Sequence, residues 1–295
     1  KSLDIPLFRV QHHHSHLSSI LIDHNLPLDT SIVCITTDGY GYGLDGAAWG
    51  GEVLFGDAKD YNNLGGLDAL VYPGGDMSAA YAARPLVGVL SQFLQQEEIL
   101  AVTKNMPIGQ EKVISNETLG TILSAIDHRI NSVFSSSAGR FLDAAAALLQ
   151  LSNTNSYDGE CPMKLEAAAK KNSRVSIETE LVDKNGRLIL DTAKSFESLL
   201  SLQKDGHHTE DLAYAIQWHL GKSLAKIAVG IAENEQVKYV GFSGGVALNR
   251  VITNAIVNYV TSNGLIPLLH KEVPPGDGGI SIGQIGVGIV QLKHN

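Results

Sequence analysis

Twice in this chain a hydrophobic, β-branched run ends at a glycine turn, once in each half. Residues 31–37 (Ser-Ile-Val-Cys-Ile-Thr-Thr) lead into Asp38-Gly39-Tyr-Gly41-Tyr-Gly43, and residues 237–242 lead into Ser243-Gly244-Gly245. Such runs read as buried strands, and a Gly-rich turn after a strand exposes backbone N–H groups that can cradle phosphate. Helical patterns fill the intervals, so the class is α/β. Two strand-to-glycine units suggest two related lobes with a ligand between them. The expected boundary lies near residues 132–140, dividing the chain into 1–135 and 136–295. No tandem repeat of about 20–50 residues is visible.

The remaining pattern fills in around these strands. A helix is expected over 12–23, with Leu17, Ile20 and Leu21 on one face. A second strand is expected over 48–55, then a turn at Pro73-Gly-Gly-Asp76. The run from Met77 to about Gln95 reads as helix, broken or kinked at Pro85. Further helices are expected at 119–131, 139–151, 163–171, 211–231 and 246–260. A hairpin around Asn185-Gly186 joins 175–181 to 187–190. A short strand follows at 267–269, and Pro274-Pro-Gly-Asp-Gly-Gly279 turns the chain into a final helix from Ile280.

Composition limits the function. The chain has 295 residues, 44 % hydrophobic, enough for one large domain or two lobes with a sizeable core. Its net charge of −9 (22 cations against 31 anions) makes it a poor general partner for nucleic acid, whose binding depends on phosphate neutralisation. No apolar run reaches the ~18 residues of a membrane span. Cys34 and Cys161 form no CxxC pair and no disulfide framework, which suits a reducing cytoplasm. Cys34 lies inside an expected buried strand and is a poor nucleophile.

Five motifs carry chemistry, each with a plainer explanation beside it. In Val10-Gln-His-His-His-Ser-His16, His12 and His16 stand four apart and share one helical face, the spacing that lets two imidazoles bind one metal ion; the plainer reading is a polar surface patch. Asp38 at its strand end is placed to hold a metal, and Gly39 and Gly41 to cradle phosphate, although any Gly-rich turn looks similar. Ser243-Gly244-Gly245-Val-Ala-Leu-Asn249 is strand, turn and helix entry, with Asn249 able to meet a base or ribose, or Ser243 simply near an N-cap. Asp277, flanked by glycines, can ligate a metal or cap the last helix. Gly139 allows close backbone approach, and Asp143 one turn later can bind ribose hydroxyls or serve only the helix. His270 can join the site, but a lone histidine is more often structural.

Together, and in order, these motifs carry a resemblance. Val-Gln-His-His-His-Ser-His, the run from Asp38 through Ala-Ala-Trp-Gly-Gly-Glu52, Tyr72-Pro-Gly-Gly-Asp, Ser-Ser-Ala-Gly-Arg140, Tyr157-Asp-Gly-Glu, Phe-Ser-Gly-Gly-Val and Pro-Pro-Gly-Asp-Gly-Gly-Ile resemble the C-terminal carbamoyltransferase module of the HypF family of nickel–iron hydrogenase maturation proteins. The resemblance spans about residues 9 to 292. That module is similar to the tRNA threonylcarbamoyl transferases and to antibiotic O-carbamoyltransferases, which share the two-lobed actin-like ATPase/sugar-kinase fold.

The resemblance implies a set of roles. His12, His16, Asp38 and Asp277 would be the metal ligands and the catalytic centre. Gly139, Asp143, Gly244, Gly245 and Asn249 would contact a nucleotide, as ATP, AMP or carbamoyl-adenylate. The donor types admit iron, zinc or magnesium. A YrdC-like domain would supply carbamoyl-adenylate, and the acceptor would be the C-terminal cysteine of a HypE-like partner in cyanide-ligand synthesis. Alternatives are transfer to tRNA or to a small-molecule hydroxyl, or a nucleotide-binding module without catalysis. The chain departs from the family at Tyr40, where Thr is usual, and at Ala247-Leu248, where Phe-Gln is usual. The acylphosphatase, zinc-finger and YrdC-like modules are missing, and the His motif normally lies well inside the module. The expectation is therefore part of a larger protein, begun after the opening strands of the first lobe.

Overall fold

The computed structural model describes residues 7–294. Its strands are β1 (Ile32–Tyr42), β2 (Ala48–Gly56), β3 (Tyr61–Leu67), β4 (Leu70–Pro73), β5 (Pro107–Gly109), β6 (Lys112–Val113), β7 (Ser132–Ser135), β8 (Leu181–Lys184), β9 (Arg187–Leu190), β10 (Tyr239–Ser243) and β11 (Ile266–Leu269). Its helices are α1 (His12–Asp23), α2 (Met77–Ala80), α3 (Ala83–Leu90), α4 (Gln96–Thr103), α5 (Asn116–Asp127), α6 (Ala138–Leu148), α7 (Glu160–Ala168), α8 (Thr192–Lys204), α9 (Thr209–Asn234), α10 (Arg250–Ser262) and α11 (Ile280–His294). None of these helices is long and apolar enough to cross a membrane.

One sheet runs in the order β11-β10-β1-β2-β3-β9-β8, with β7 joining β2 to β4. Strand β1 is its axis, antiparallel to β2 and parallel to β10, and β10 is parallel to β11. Side chains alternate across a strand, and β1 is buried on both faces, which explains its unbroken hydrophobic run. Ile32 and Cys34 join Leu17, Ile20 and Leu21 of α1 in one cluster. Val33 and Ile35 point the other way, into the main core with Leu220, Leu224 and Ile227 of α9.

The pairing crosses the expected lobe boundary. Val33 through Thr36 of β1 lie in register with Val240 through Ser243 of β10, so the sheet is continuous across position 135/136. The two glycine units therefore sit side by side at the carboxyl ends of neighbouring parallel strands, where open α/β sheets bind ligands. They do not face each other from separate sheets.

Local corrections have identifiable causes. The expected glycine turn after Thr37 is instead more strand: β1 resumes as Gly41 and Tyr42 pair with Trp49 and Ala48, after a register shift between Thr37 and Gly41. That irregularity re-aims Asp38, as bulges beside active sites do. Pro85 breaks nothing, because it sits in the first turn of α3 where its missing N–H costs no helical bond; the break falls at Tyr81. Strand β3 (Tyr-Asn-Asn-Leu-Gly-Gly-Leu) has no alternating pattern and is made by its neighbours β2 and β9. Residues 175–180 are not strand; the hairpin begins only at Leu181.

Helix α1 is buried on nearly all sides, between the sheet and α11. Small residues make this possible. A Cβ on Gly283 would strike the carbonyl oxygen of Ser15, and one on Gly286 would strike Ser18 Oγ. Gly283→Ala should therefore force the helices apart and cost about 1–3 kcal/mol in urea unfolding. Gly288, on the same helix but with open space at its Cβ, should gain up to ~1 kcal/mol as Ala. Equal effects at both positions would contradict the tight seam.

Candidate active site and metal centre

Helix α1 begins with Gln11, whose side chain accepts from His14 N–H at 2.9 Å and donates to the Tyr42 carbonyl at 2.8 Å. This cap ties the helix start to the end of β1. His12 and His16, one turn apart on α1, then face Asp38 at the β1 irregularity. His16 Nε2 lies 2.9 Å and His12 Nε2 3.4 Å from Asp38 Oδ2. Asp277, just before α11, brings Oδ1 to 3.5 Å from His12 Nε2. One donor atom from each of the four lies within 4.8 Å of the others.

The donor set fits a divalent cation. Bonds of ~2.0–2.2 Å to a shared ion place neighbouring ligand atoms roughly 3–3.5 Å apart, close to the spacings found here. Three donors are largely buried, while the Asp277 side chain is 77 % exposed and free to close on an ion from the open side. Burial by itself would raise the Asp38 pKa, but hydrogen bonds with His12 and His16, and from the Gly245 N–H at 2.9 Å, hold it well below the usual carboxylate range. Burial would lower His12, yet its contact with Asp38 leaves it raised. The site is thus set to keep Asp38 anionic.

A cleft of about 300 Å³ opens beside Asp38. Gly39 and Gly139 pack against each other at its edge: a Cβ on Gly139 would lie 2.8 Å from Gly39 Cα. The N-terminus of α6, capped by Ser137, points its first N–H groups this way, an arrangement suited to an anion. Leu142, Pro162, Met163, Val246 and Leu248 give the cleft apolar walls, and Arg140 is the only Lys or Arg among its described lining residues.

The other candidate residues fall in different places. Gly245 borders the cleft, but its N–H is given to Asp38. Gly244 adopts φ +103 where a Cβ would strike the Thr37 carbonyl, and its N–H donates to the Pro275 carbonyl at 2.8 Å, so it shapes the turn. Gly41 packs against the His13 ring, away from the cleft. Asp143 is fully buried and does not line the cleft; its oxygens accept from Arg140 Nε at 2.7 Å and Asn155 Nδ2 at 2.9 Å. Asn249 borders the cleft, but its side chain caps α10 through Ile252 N–H at 3.0 Å and donates to Gln217 at 2.7 Å.

The structure adds Met163 and Glu166, which lie outside the sequence motifs, and gives positions to motif residues that had no assigned role or only a plain one. Arg140, Asp158, Met163 and Glu166 reach the cleft because α6 and α7 pack together. Ser243 Oγ sits 2.9 Å from both His16 Nδ1 and His270 Nε2. His13 Nε2 has no hydrogen-bond partner and lies 3.6 Å from Glu52 Oε2. Burial holds His13 down at about 3.

Glu52 is the other buried acid near the centre. Burial pushes it up to about 8, despite hydrogen bonds from Ser136 Oγ and from the Gly51 N–H at 2.8 Å. Between its ordinary value of 4.5 and about 8, the folded chain keeps this proton and the unfolded chain has lost it. This group's contribution to stability therefore falls as pH rises, by up to ~1.4 kcal/mol per pH unit. Glu52→Gln removes that titration, so its stability relative to wild type should climb steadily through this window in urea titrations. Parallel pH profiles would show that Glu52 is ionised in the folded chain.

Comparison with known proteins gives the family. Residues 34–284 match the family model described as "Carbamoyltransferase, Kae1-like Domain, second subdomain". The probable carbamoyltransferase HypF of Methanocaldococcus jannaschii is 34 % identical over 98 % of this chain, which spans 36 % of that relative's length. A carbamoyltransferase HypF homolog of Cupriavidus necator is 30 % identical, with 97 % of this chain and 71 % of the relative covered. The crystal structure of T. kodakarensis HypF superposes with a TM-score of 0.89 at 35 % identity, over 99 % of this chain and 38 % of that one. The structure of full-length HypF in its phosphate- and nucleotide-bound form gives a TM-score of 0.88 at 29 % identity, over 99 % and 37 %. The α/β fold expected from the motifs is the fold shared with these structures. The chain belongs to the HypF carbamoyltransferase family, its residues 34–284 corresponding to the second subdomain of the Kae1-like carbamoyltransferase domain.

Proposed function

We propose that this chain performs the carbamoyl-transfer step of a HypF-type reaction, moving carbamoyl from carbamoyl-adenylate to the C-terminal cysteine of a HypE-like acceptor protein. One observation carries the reading: Asp38 belongs both to the four-donor cluster and to the wall of the cleft, so an ion and a nucleotide would meet at one carboxylate. A related HypF has been solved with phosphate and nucleotide bound, which supports a nucleotide in this cleft. The net charge of −9 weighs against tRNA as the acceptor.

His12, His16, Asp38 and Asp277 are the residues that would hold the ion, with iron, zinc and magnesium all compatible with mixed N/O donors. When bound, it supplies positive charge that polarises an oxygen of the mixed anhydride. The chain's own groups do the rest. Gly39, without a side chain, leaves the cleft open beside the start of α6, whose N-terminus would favour the charge of the adenylate phosphate. Arg140, held by the buried Asp143, adds a fixed cation. The apolar walls receive the base and exclude water that would hydrolyse the anhydride.

In the transfer itself, the acceptor sulfur forms a bond to the carbamoyl carbon. The bond from that carbon to the phosphate oxygen breaks, and its electron pair leaves with AMP. The acyl carbon is already activated, so positioning accounts for most of the work. The donor would come from a YrdC-like domain that makes carbamoyl-adenylate from carbamoyl phosphate and ATP. A reducing cytoplasm suits an acceptor thiol and the two free cysteines of this chain.

The test is AMP release from carbamoyl-adenylate in the presence of the acceptor protein, with metal content measured in parallel. His12→Ala combined with His16→Ala should abolish metal uptake and slow transfer at least ~100-fold, a loss of about 2.7 kcal/mol of transition-state stabilisation. Unchanged transfer and metal content would sink the proposal.

A further inference from the structure

Behind the metal-facing side of His16 lies a chain of buried polar groups that the transfer step does not use. His16 Nδ1 is 2.9 Å from Ser243 Oγ, and Ser243 Oγ is 2.9 Å from His270 Nε2. His270 Nδ1, otherwise without a hydrogen-bond partner, faces Asp23 Oδ2 at 3.3 Å. Asp23 itself is fixed by three backbone donors, with Lys271 N–H at 2.6 Å, Glu272 N–H at 3.0 Å and Val273 N–H at 3.2 Å. His16 and Ser243 are fully buried, and the side chains of His270 and Asp23 are 4 % and 1 % exposed. The four residues come from the middle and end of α1, the end of β10 and the loop after β11.

Proton accounting gives this chain a direction. Asp23 is an acceptor, so the proton of His270 belongs on Nδ1 and its Nε2 accepts. Ser243 has one proton. The Pro275 carbonyl lies 3.1 Å from Ser243 Oγ, but His270 Nε2 is the nearer acceptor at 2.9 Å and has no other donor among the described residues, so the Ser243 proton goes to His270 Nε2. Ser243 oxygen must then accept from His16 Nδ1–H. His16 is left with a lone pair on Nε2, and that atom lies 2.9 Å from the Asp38 carboxylate. Two lone-pair acceptors at that distance need a positive charge between them, a proton in the metal-free chain or the metal ion when it is bound.

We propose that Ser243, His270 and Asp23 form an outer relay that fixes the Nδ1–H tautomer of His16 and so presents its Nε2 lone pair to the metal. The inference rests on the metal reading given above. The three are positioning residues: none lies among the four candidate ligands. A metal-ligating histidine is commonly oriented in this way through its other ring nitrogen, and loss of such a partner typically costs 10–100-fold in metal affinity. The relay also explains why the backbone of residues 271–273 is bound to α1: the same Asp23 that ends the relay anchors the segment leading to Asp277.

The test uses the full chain and Zn²⁺ alone, with dissociation constants from competition against a chromophoric chelator. Asp23→Asn and His270→Ala should weaken Zn²⁺ binding roughly 10–100-fold. His270→Gln, whose amide oxygen can still accept from Ser243, should recover most of that loss. Binding within twofold of wild type for both Asp23→Asn and His270→Ala would overturn the relay, as would His270→Gln no better than His270→Ala. Long-range ¹H–¹⁵N spectra of the wild-type Zn²⁺ form need no variant to fold: His16 should carry its proton on Nδ1, and a proton on Nε2 would overturn the proposal. If instead wild type takes up no Zn²⁺, or binds it unchanged after His12→Ala with His16→Ala, the metal reading falls first and the relay with it.

Discussion

A carboxylate drawn out of water stays ionised only where donors surround it, and Asp38 is where this molecule meets that requirement. Both of its oxygens are engaged, one by His12 and His16 from α1, the other by the Gly245 N–H from the turn after β10. The contact joins three segments far apart in sequence at one point. Its geometry depends on the β1 irregularity, on the burial of α1 beneath α11, and on the parallel pairing of β1 with β10. Loosening any of these would move a donor away from Asp38 and leave a partly buried charge uncompensated.

The same construction places the cleft beside Asp38. Parallel neighbours end on the same edge of a sheet, so Thr36 and Ser243 lie side by side and the segments following them form one rim. Helix α6 arrives at that rim through Ser137, whose hydroxyl donates to the Gly39 carbonyl at 2.8 Å and accepts from the Arg140 N–H at 3.0 Å. One residue thus caps the helix and fixes its distance from β1. The contact between Gly39 and Gly139 follows, and it is close enough that a Cβ on Gly139 would strike Gly39 Cα. Groups on adjoining strand ends and helix starts are held by backbone ladders, which makes this rim stiff.

Much of this was legible in the chain. Helix α1 has the bounds its apolar spacing indicates, and β1, β2, β10 and β11 lie where their hydrophobic runs lie. The i, i+4 spacing of His12 and His16 is a local signal, and the structure keeps it. Asp143 and Asn249 show the opposite limit. Each has a residue type and position that suits ribose or base, yet Asp143 holds Arg140 and Asn155, and Asn249 holds α10 and Gln217. A polar side chain near a glycine turn looks the same in sequence whether it faces a ligand or satisfies a neighbouring helix. The division near residue 135 shows a related limit: repeated strand-to-glycine units are equally compatible with two sheets or with two strands of one, and here one sheet takes strands from both sides.

Sequence by itself determined the class of the fold, the helical face that carries two imidazoles, and, through the order of its motifs, the family. These depend on residue types and short spacings, which the backbone's own periodicity converts directly into shared faces. Only the tertiary structure decided that Asp38 would be the common neighbour of His12, His16 and Gly245, and that Asp23, His270 and Ser243 would stand in line behind His16. Three of those contacts, His16 to Ser243, Asp38 to Gly245 and Asp23 to His270, link residues more than 200 positions apart. They exist because the β1–β10 pairing and the α1–α11 seam bury polar groups together, and buried polar groups must find one another once water is gone.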